Sequence, residues 1–387
     1  MLVSCIFTAI DSDSECSSFQ NISEEMLHRW IFRPEDRTII TIFIPIIWGL
    51  GVIINCTFLF MIYRIPKLRT ETNVYLTHLA LADLLYLNLF SAYDIWRYVA
   101  SPVADNVPFT TSTGCLCFII AINMGYFAAM ALVTMVSFER YLSLCHPIKH
   151  LKIRGRRRTK RMVAFCWLVG FVFAVTSAPE RACLNKLCLQ WPESEDHQGY
   201  PHTRASCDPV TPWVESVTQP LLNVPWLIAM VANIFMYVRI VQMLHRRKSS
   251  HNGKFDHHQT AMKLRNQVAK MLIVNGAVFF VCQTPNTLLS LTRWTCLIAQ
   301  IPNPLDAALG NTKLWIALIP QRINTIVNPL IYGAINSQYQ TAFRQTFMRK
   351  GKSKKPDSAN AISSPKYCSA TNNMMVNQNC NTDDTTL

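Results

Sequence analysis

Seven apolar stretches, each near the length of a membrane crossing, divide this chain of 387 residues and leave it few ways to fold. They cover 39–63, 75–96, 115–138, 162–178, 217–244, 268–291 and 314–335. A helix crosses the hydrocarbon core of a bilayer in about 20 residues. Six stretches reach that length and the fourth lies at its lower limit. In lipid only helices and closed barrels satisfy their own backbone hydrogen bonds, and runs this long belong to helices. Composition agrees: 16% of residues are charged, against about 25% in soluble proteins. Pro45, Pro179, Pro220, Pro225, Pro285, Pro320 and Pro329 would break helices in water. Membrane helices tolerate them, because neighbouring helices and waters re-satisfy the freed carbonyls.

The net charge of +14 could suit nucleic acid, but its distribution excludes that partner. Basic residues crowd alternate loops: Arg64, Lys67 and Arg69; Lys149 to Arg161; Arg246 to Arg265; and the tail from Arg344. The other loops and the N-terminus mix both signs. Positive loops stay on the cytoplasmic side. The pattern places the N-terminus outside and the C-terminus inside, and requires an odd number of crossings. The basic runs are topology signals and contacts for anionic membrane lipid. Met1 to Ile10 lacks a basic n-region, so the first crossing is expected to act as the signal anchor. Asn21-Ile22-Ser23 is a glycosylation acceptor on the outer side. Asn55-Cys56-Thr57 matches the same pattern but lies inside a crossing.

Glu139-Arg140-Tyr141 ends the third stretch, 25 residues after Cys115. At ~1.5 Å per residue such a helix reaches ~37 Å, so the cysteine and the charge pair face opposite sides of the membrane. Ionisable residues at this depth are costly and mark function. Other stretches carry one polar or proline motif each. These are Gly51 to Asn55, Leu79-Ala80-Leu81-Ala82-Asp83, Trp167, Pro225, Phe279 with Cys282-Gln283-Thr284-Pro285, and Asn328-Pro329-Leu330-Ile331-Tyr332.

Together, in this order, these motifs resemble the rhodopsin-like (class A) G-protein-coupled receptors. The resemblance covers about Ile39 to Phe347 and implies an all-α membrane protein. That protein is a seven-transmembrane helix bundle with a short amphipathic eighth helix, working as a plasma-membrane receptor and not an enzyme. Residues 1–37 would be the extracellular N-terminus, 38–350 the receptor domain and 351–387 a disordered cytoplasmic tail. The resemblance makes Arg140 the partner of Glu139 in the inactive state. Breaking that pair and swinging the sixth helix outward would open a cleft for a heterotrimeric G protein, and later for arrestin. Ile148 would be an apolar plug into the G protein, with Phe279, Pro285, Asn328, Pro329 and Tyr332 relaying the switch. Asp83 would hydrogen-bond Asn55 and Asn328, or hold an allosteric sodium ion with Asn324 and Asn328. Ala129 stands where many relatives carry a serine ligand. Two further departures are Gln283, where relatives have tryptophan, and Asn233, where they have tyrosine, with Tyr237 one turn later.

Seven cysteines fall outside: Cys5, Cys16, Cys115, Cys183, Cys188, Cys207 and Cys296. The resemblance implies a bridge from Cys115 to the second outer loop, with Cys207 as the partner or Cys188 as the alternative. Ile122 occupies the position of the amine-binding aspartate, which disfavours an amine ligand. Arg322 occupies the retinal lysine position, and a guanidinium cannot form that linkage. Its roles are an ion pair with Asp94, a hydrogen bond to Gln283, or a grip on a ligand carboxylate or amide carbonyl. Asp94, Arg97, Ile122, Tyr126, Gln283, Arg293, Trp315 and Arg322 form the candidate ligand site, with Arg97, Arg293, Trp96, Trp294 and Trp315 ringing its mouth. Arginine and aromatic residues suit a peptide, and a β-hairpin lid in the second outer loop would fit one. The Thr72 to Leu76 and Glu139 to Pro147 segments resemble neuropeptide receptors, such as those for thyrotropin-releasing hormone, neuromedin U or somatostatin. The alternative ligand is a lipid or small carboxylate. A membrane hydrolase needs His and Asp ligands within the crossings, and only His78 lies in one. A transporter would show repeated halves. Tyr339, Phe343 and Phe347 repeat every fourth residue, which predicts an amphipathic surface helix. Thr385-Thr386-Leu387 resembles a PDZ-domain ligand.

Overall fold

A computed structural model describes residues 16, 18–193, 199–249, 256–309 and 312–348. The C-terminal tail 351–387, with Thr385, Thr386 and Leu387, lies outside them, as does Cys5. Seven long helices form the bundle: α1 (Pro34–Arg64), α2 (Glu71–Ala100), α3 (Ser112–Cys145), α4 (Arg156–Ser177), α5 (Val214–Ser249), α6 (Asp256–Ala299) and α7 (Thr312–Ile335). A shorter helix, α8 (Ser337–Phe347), follows. Each start has a local cause. The Asp36 carboxylate accepts the Arg33 backbone N–H at 3.1 Å in the first turn of α1. The Thr70 and Thr111 hydroxyls cap α2 and α3, and the Asn336 side chain caps α8. Such caps satisfy N–H groups that have no partner within the helix. Ile39–Phe43 forms a π-helical turn just before Pro45, where the ladder loses a donor.

The first six helices are long and apolar enough to cross a membrane. The seventh, at 24 residues, is long enough but carries Gln321, Arg322, Asn324 and Asn328. These polar side chains are all buried and point into the bundle. Exposed Ile, Val, Leu and Phe side chains cover the outer faces of α1, α4 and α5, as a lipid-facing surface requires. The third helix is the hub, packed against α2, α4, α5 and α6. Its approach to α4 depends on Gly170. A Cβ there would lie 2.9 Å from the Ala128 nitrogen and 2.9 Å from the Met124 oxygen, both backbone atoms. Gly170→Val is expected to destabilise the bundle by ~1–3 kcal/mol, the usual cost of overpacking. Thermal unfolding of the purified protein measures this, and an unchanged midpoint would mean that the two helices part freely.

The second outer loop is a β-hairpin, the form that a lid over a peptide site would take. Strand β1 (Ser18–Asn21) pairs in parallel with β2 (Cys183–Gln190), placing Ser18 opposite Leu187. Strand β2 pairs antiparallel with β3 (Thr203–Asp208), placing Cys183 opposite Asp208. The parallel partner from the N-terminus has no counterpart in the sequence reading. Cys16–Cys188 fastens β1 to β2, and Cys115–Cys207 fastens β3 to the outer end of α3. The choice of Cys207 thus holds, and Cys188 serves the N-terminus instead. Cys183 is also disulfide-bonded, whereas Cys296 is a free, buried thiol. A short helix, Pro147–Ile153, follows α3 at its Glu139 end. On α8, Tyr339 and Ala342 turn inward against the bundle, while Phe343 and Phe347 stay exposed, as the apolar face of a helix lying on a membrane surface would.

Candidate functional site

The outer half of the bundle is organised around one buried arginine. Arg322 on α7 is 0% exposed and hydrogen-bonds the Asp94 carboxylate on α2, which is itself buried. The Phe90 ring lies 4.8 Å from its guanidinium. Its Nε and Nη1 atoms are buried without a hydrogen-bond partner. Arg97, one turn along α2, stands 3.9 Å from Asp94 and 3.1 Å from Asp105 in the next loop. Of the roles open to Arg322, the ion pair with Asp94 is the one found. Gln283 does not serve it. The Gln283 Oε1 accepts from Gln321 Nε2 at 2.6 Å, and Gln321 Oε1 accepts from the Tyr86 hydroxyl at 3.0 Å. A chain of side chains thus links α6, α7 and α2 at the depth where relatives place a tryptophan. Tyr86 and Gln321 carried no sequence signal.

The remaining candidates are dispersed. Ile122 is buried on α3, and Tyr126 packs edge-on against Phe127. Arg293 on α6 pairs with Glu215 at the start of α5, and Trp294 donates to the Ser216 carbonyl at 3.0 Å. Trp315 was expected at the mouth but is buried. Its indole N–H donates to Asp36 Oδ1 at 2.6 Å, and its ring packs with Phe32, Ile40 and Ile44. It therefore buckles the N-terminal segment onto α7. The same segment bridges Ile31 to Val103 in the loop after α2.

Deeper in the bundle, Asp83 accepts from Asn328 Nδ2 at 2.6 Å. Asn55 was expected beside Asp83, but its amide donates to the carbonyls of Gly51 and Thr325. It ties α1 to α7 instead. The amide oxygens of Asn324 and Asn328 are buried without partners. Carbonyl and carboxylate oxygens of this kind suit a hard cation.

At the inner end, the Glu139 carboxylate lies 2.7 Å from Arg158 Nη2 on α4 and 3.7 Å from His150 Nε2. The Tyr75 hydroxyl is 3.4 Å away on α2. Burial lowers the His150 pKa below the ordinary imidazole value, although Glu139 opposes the shift. His150 is therefore mostly neutral near pH 7, and Arg158 supplies the charge that faces Glu139. Arg158 sits in a basic run that had suggested topology and contact with anionic lipid. Tyr141 shares a hydrogen bond of 3.1 Å with His146. Tyr332 is buried between Phe58 and Tyr339, and Phe279 packs edge-on with Phe280. Ile148, in the short helix after α3, is 72% exposed.

Comparison with known proteins converges on the same arrangement. Residues 54–332 match the family model described as "7 transmembrane receptor (rhodopsin family)". Neuromedin-U receptor 2 of Mus musculus is 28% identical over 318 residues, covering 79% of this chain and 74% of that protein. The thyrotropin-releasing hormone receptor of Bos taurus is 24% identical over 341 residues, covering 80% and 78%. Its Homo sapiens counterpart is 25% identical over the same length. The polar seventh helix is accordingly a true crossing, and the chain belongs to the rhodopsin family of seven-transmembrane receptors.

Proposed function

We propose that this protein is a plasma-membrane receptor for an extracellular peptide and passes the binding signal to a heterotrimeric G protein. The outer sheet carries the peptide part of this reading. Two disulfides and the Asp36–Trp315 bond fix the sheet and the N-terminal segment as a rigid floor beside the helix ends. Arg204 on β3 lies over the Trp30 ring at 5.3 Å, and Arg97 lies over the Phe32 ring at 5.6 Å. Peptide-binding surfaces are built from such residues. The relatives named for neuromedin U and thyrotropin-releasing hormone point the same way. In this reading the N-terminus faces the exterior, and Asn21, exposed on β1, carries a glycan. Asp83, Asn324 and Asn328 would hold the sodium ion, damping the switch. Arrestin, and a PDZ protein at the C-terminus, would bind from the cytoplasm.

The test is a peptide-library screen in cells expressing the full chain, read by calcium and cyclic AMP. At least one peptide is expected to give a saturable response. Silence to every peptide with a response to a fatty acid would replace the peptide by the lipid or small-carboxylate ligand. Arg322 deepens the same test. In this reading its two buried donors without acceptors would take a ligand carbonyl or carboxylate. A hydrogen bond to a charged group contributes ~1.5–3 kcal/mol. Arg322→Gln is therefore expected to weaken the potency of the active peptide by ~10-fold or more. Unchanged potency would confine Arg322 to its pair with Asp94.

A further inference from the structure

The departure of α5 from the family pattern has a structural resolution. Asn233 is fully buried, and its Nδ2 donates to Thr134 Oγ1 at 3.0 Å and to the Ala229 carbonyl at 2.7 Å. It stitches α5 to α3 and reaches no further. Tyr237, one turn towards the cytoplasm, does more. Its hydroxyl lies 2.8 Å from Ser137 Oγ on α3. The Ser137 hydrogen is already given to the Val133 carbonyl at 2.9 Å. A hydroxyl has one hydrogen to donate, so the Tyr237 phenol is the donor to Ser137. The same phenol rests on α6. A Cβ at Gly276 would fall 1.7 Å from the Tyr237 oxygen and 2.7 Å from its Cζ. Only glycine leaves the notch that the tyrosine fills. One side chain therefore joins α3, α5 and α6. Just below it, Leu144, Ile240 and Ala269 pack together with Tyr141 and Ile273, so the inner ends of these helices are closed against each other.

We propose that Tyr237, seated in the Gly276 notch and hydrogen-bonded to Ser137, is the latch that holds the inner half of α6 against α3 in the quiescent receptor. It is a positioning residue that acts through the placement of α6. A packed interface of this kind is bistable and does not deform continuously. When α6 moves outward the phenol loses the wall that shields it, so closed packing and the hydrogen bond to Ser137 stand or fall together. This inference rests on the reading that outward movement of α6 admits the G protein.

The experiment uses the full-length receptor with two readouts. Spin labels at Lys160→Cys and Lys270→Cys, both exposed inner positions on α4 and α6, report the helix separation with no G protein present. Ligand-free G-protein turnover reports the consequence. Tyr237→Phe removes only the hydroxyl, and Gly276→Val fills the notch. Each is expected to lengthen the label distance and to raise basal turnover ~3–10-fold, the population shift produced by losing one net hydrogen bond. Adding Tyr237→Ala to Gly276→Val is expected to add nothing, because the ring is already expelled. Additive effects, or unchanged distances in folded protein, would overturn the latch. Longer distances with unchanged turnover would keep the latch and remove G-protein coupling instead. Should Gly276→Val fail to fold, Tyr237→Phe keeps the ring volume and decides the matter alone.

Discussion

Asp94→Ala is expected to cost the folded receptor about 3–5 kcal/mol, the usual effect of removing one partner from a buried ion pair. The size follows from where Arg322 sits. Its side chain is 0% exposed, and Asp94 is its charged partner at that depth. A guanidinium cannot shed its proton to escape burial. The Phe90 ring at 4.8 Å softens the loss only slightly. Arg97 will not be comparably stranded, because Asp105 remains 3.1 Å away. The purified protein should therefore unfold at a markedly lower temperature, and less of it should reach the cell surface. Replacing both partners by leucine, Asp94→Leu with Arg322→Leu, should recover most of that stability, since no charge is left buried. A single variant as stable as the parent would show that Arg322 finds another counter-charge. A double variant as unstable as the single one would assign the cost to packing rather than to charge.

Much of this architecture was legible because the bilayer permits so few solutions. The apolar stretches found the helices. The Cys115–Cys207 bridge and the Asp83–Asn328 bond were expected from the resemblance of the motifs to a known family. What stayed hidden depends on contacts between distant elements, which carry no local pattern. Asp36 reads as an ordinary first-turn acid, yet its carboxylate accepts the Trp315 indole N–H from the neighbouring α7, far away in sequence. Arg158 looks like one of a run of cations, and only the fold brings it to Glu139. The chain Tyr86–Gln321–Gln283 replaces a tryptophan by three polar side chains drawn from three helices. The parallel strand β1 belongs to the same class. Its four residues have no strand signature until β2 lies beside them. The sequence also misjudged Trp315 and Asn55 for one reason: residue type and depth do not say which neighbour a side chain will choose.

Arg140→Ala is expected to abolish G-protein turnover while leaving the receptor at the cell surface in normal amount. The two halves of that result have separate causes. The end of α3 keeps its shape through contacts that do not use the Arg140 side chain. Ser143 Oγ donates to the Arg140 carbonyl at 3.1 Å, Tyr141 bonds His146, and Leu144 packs with Ile240 and Ala269. Alanine, the strongest helix former, keeps the backbone intact. The guanidinium is another matter. A charge held half-buried at a membrane boundary is costly and is retained for function. Its charge is felt at Tyr339 on α8 and at His150 in the short helix after α3, so it lies at the end of the bundle that must open if a G protein is to enter. Its fork of N–H groups then faces the cleft, with Ile148 exposed nearby as an apolar contact. Ile148→Ala should weaken turnover without abolishing it, because it removes a contact rather than a charge. Surface counting by an antibody to the N-terminus, combined with turnover in membranes, separates the outcomes. Full turnover by Arg140→Ala would remove the arginine from coupling. Loss from the surface would place it among the residues that hold the fold, and the function of the inner end would then rest on Tyr237 and Gly276.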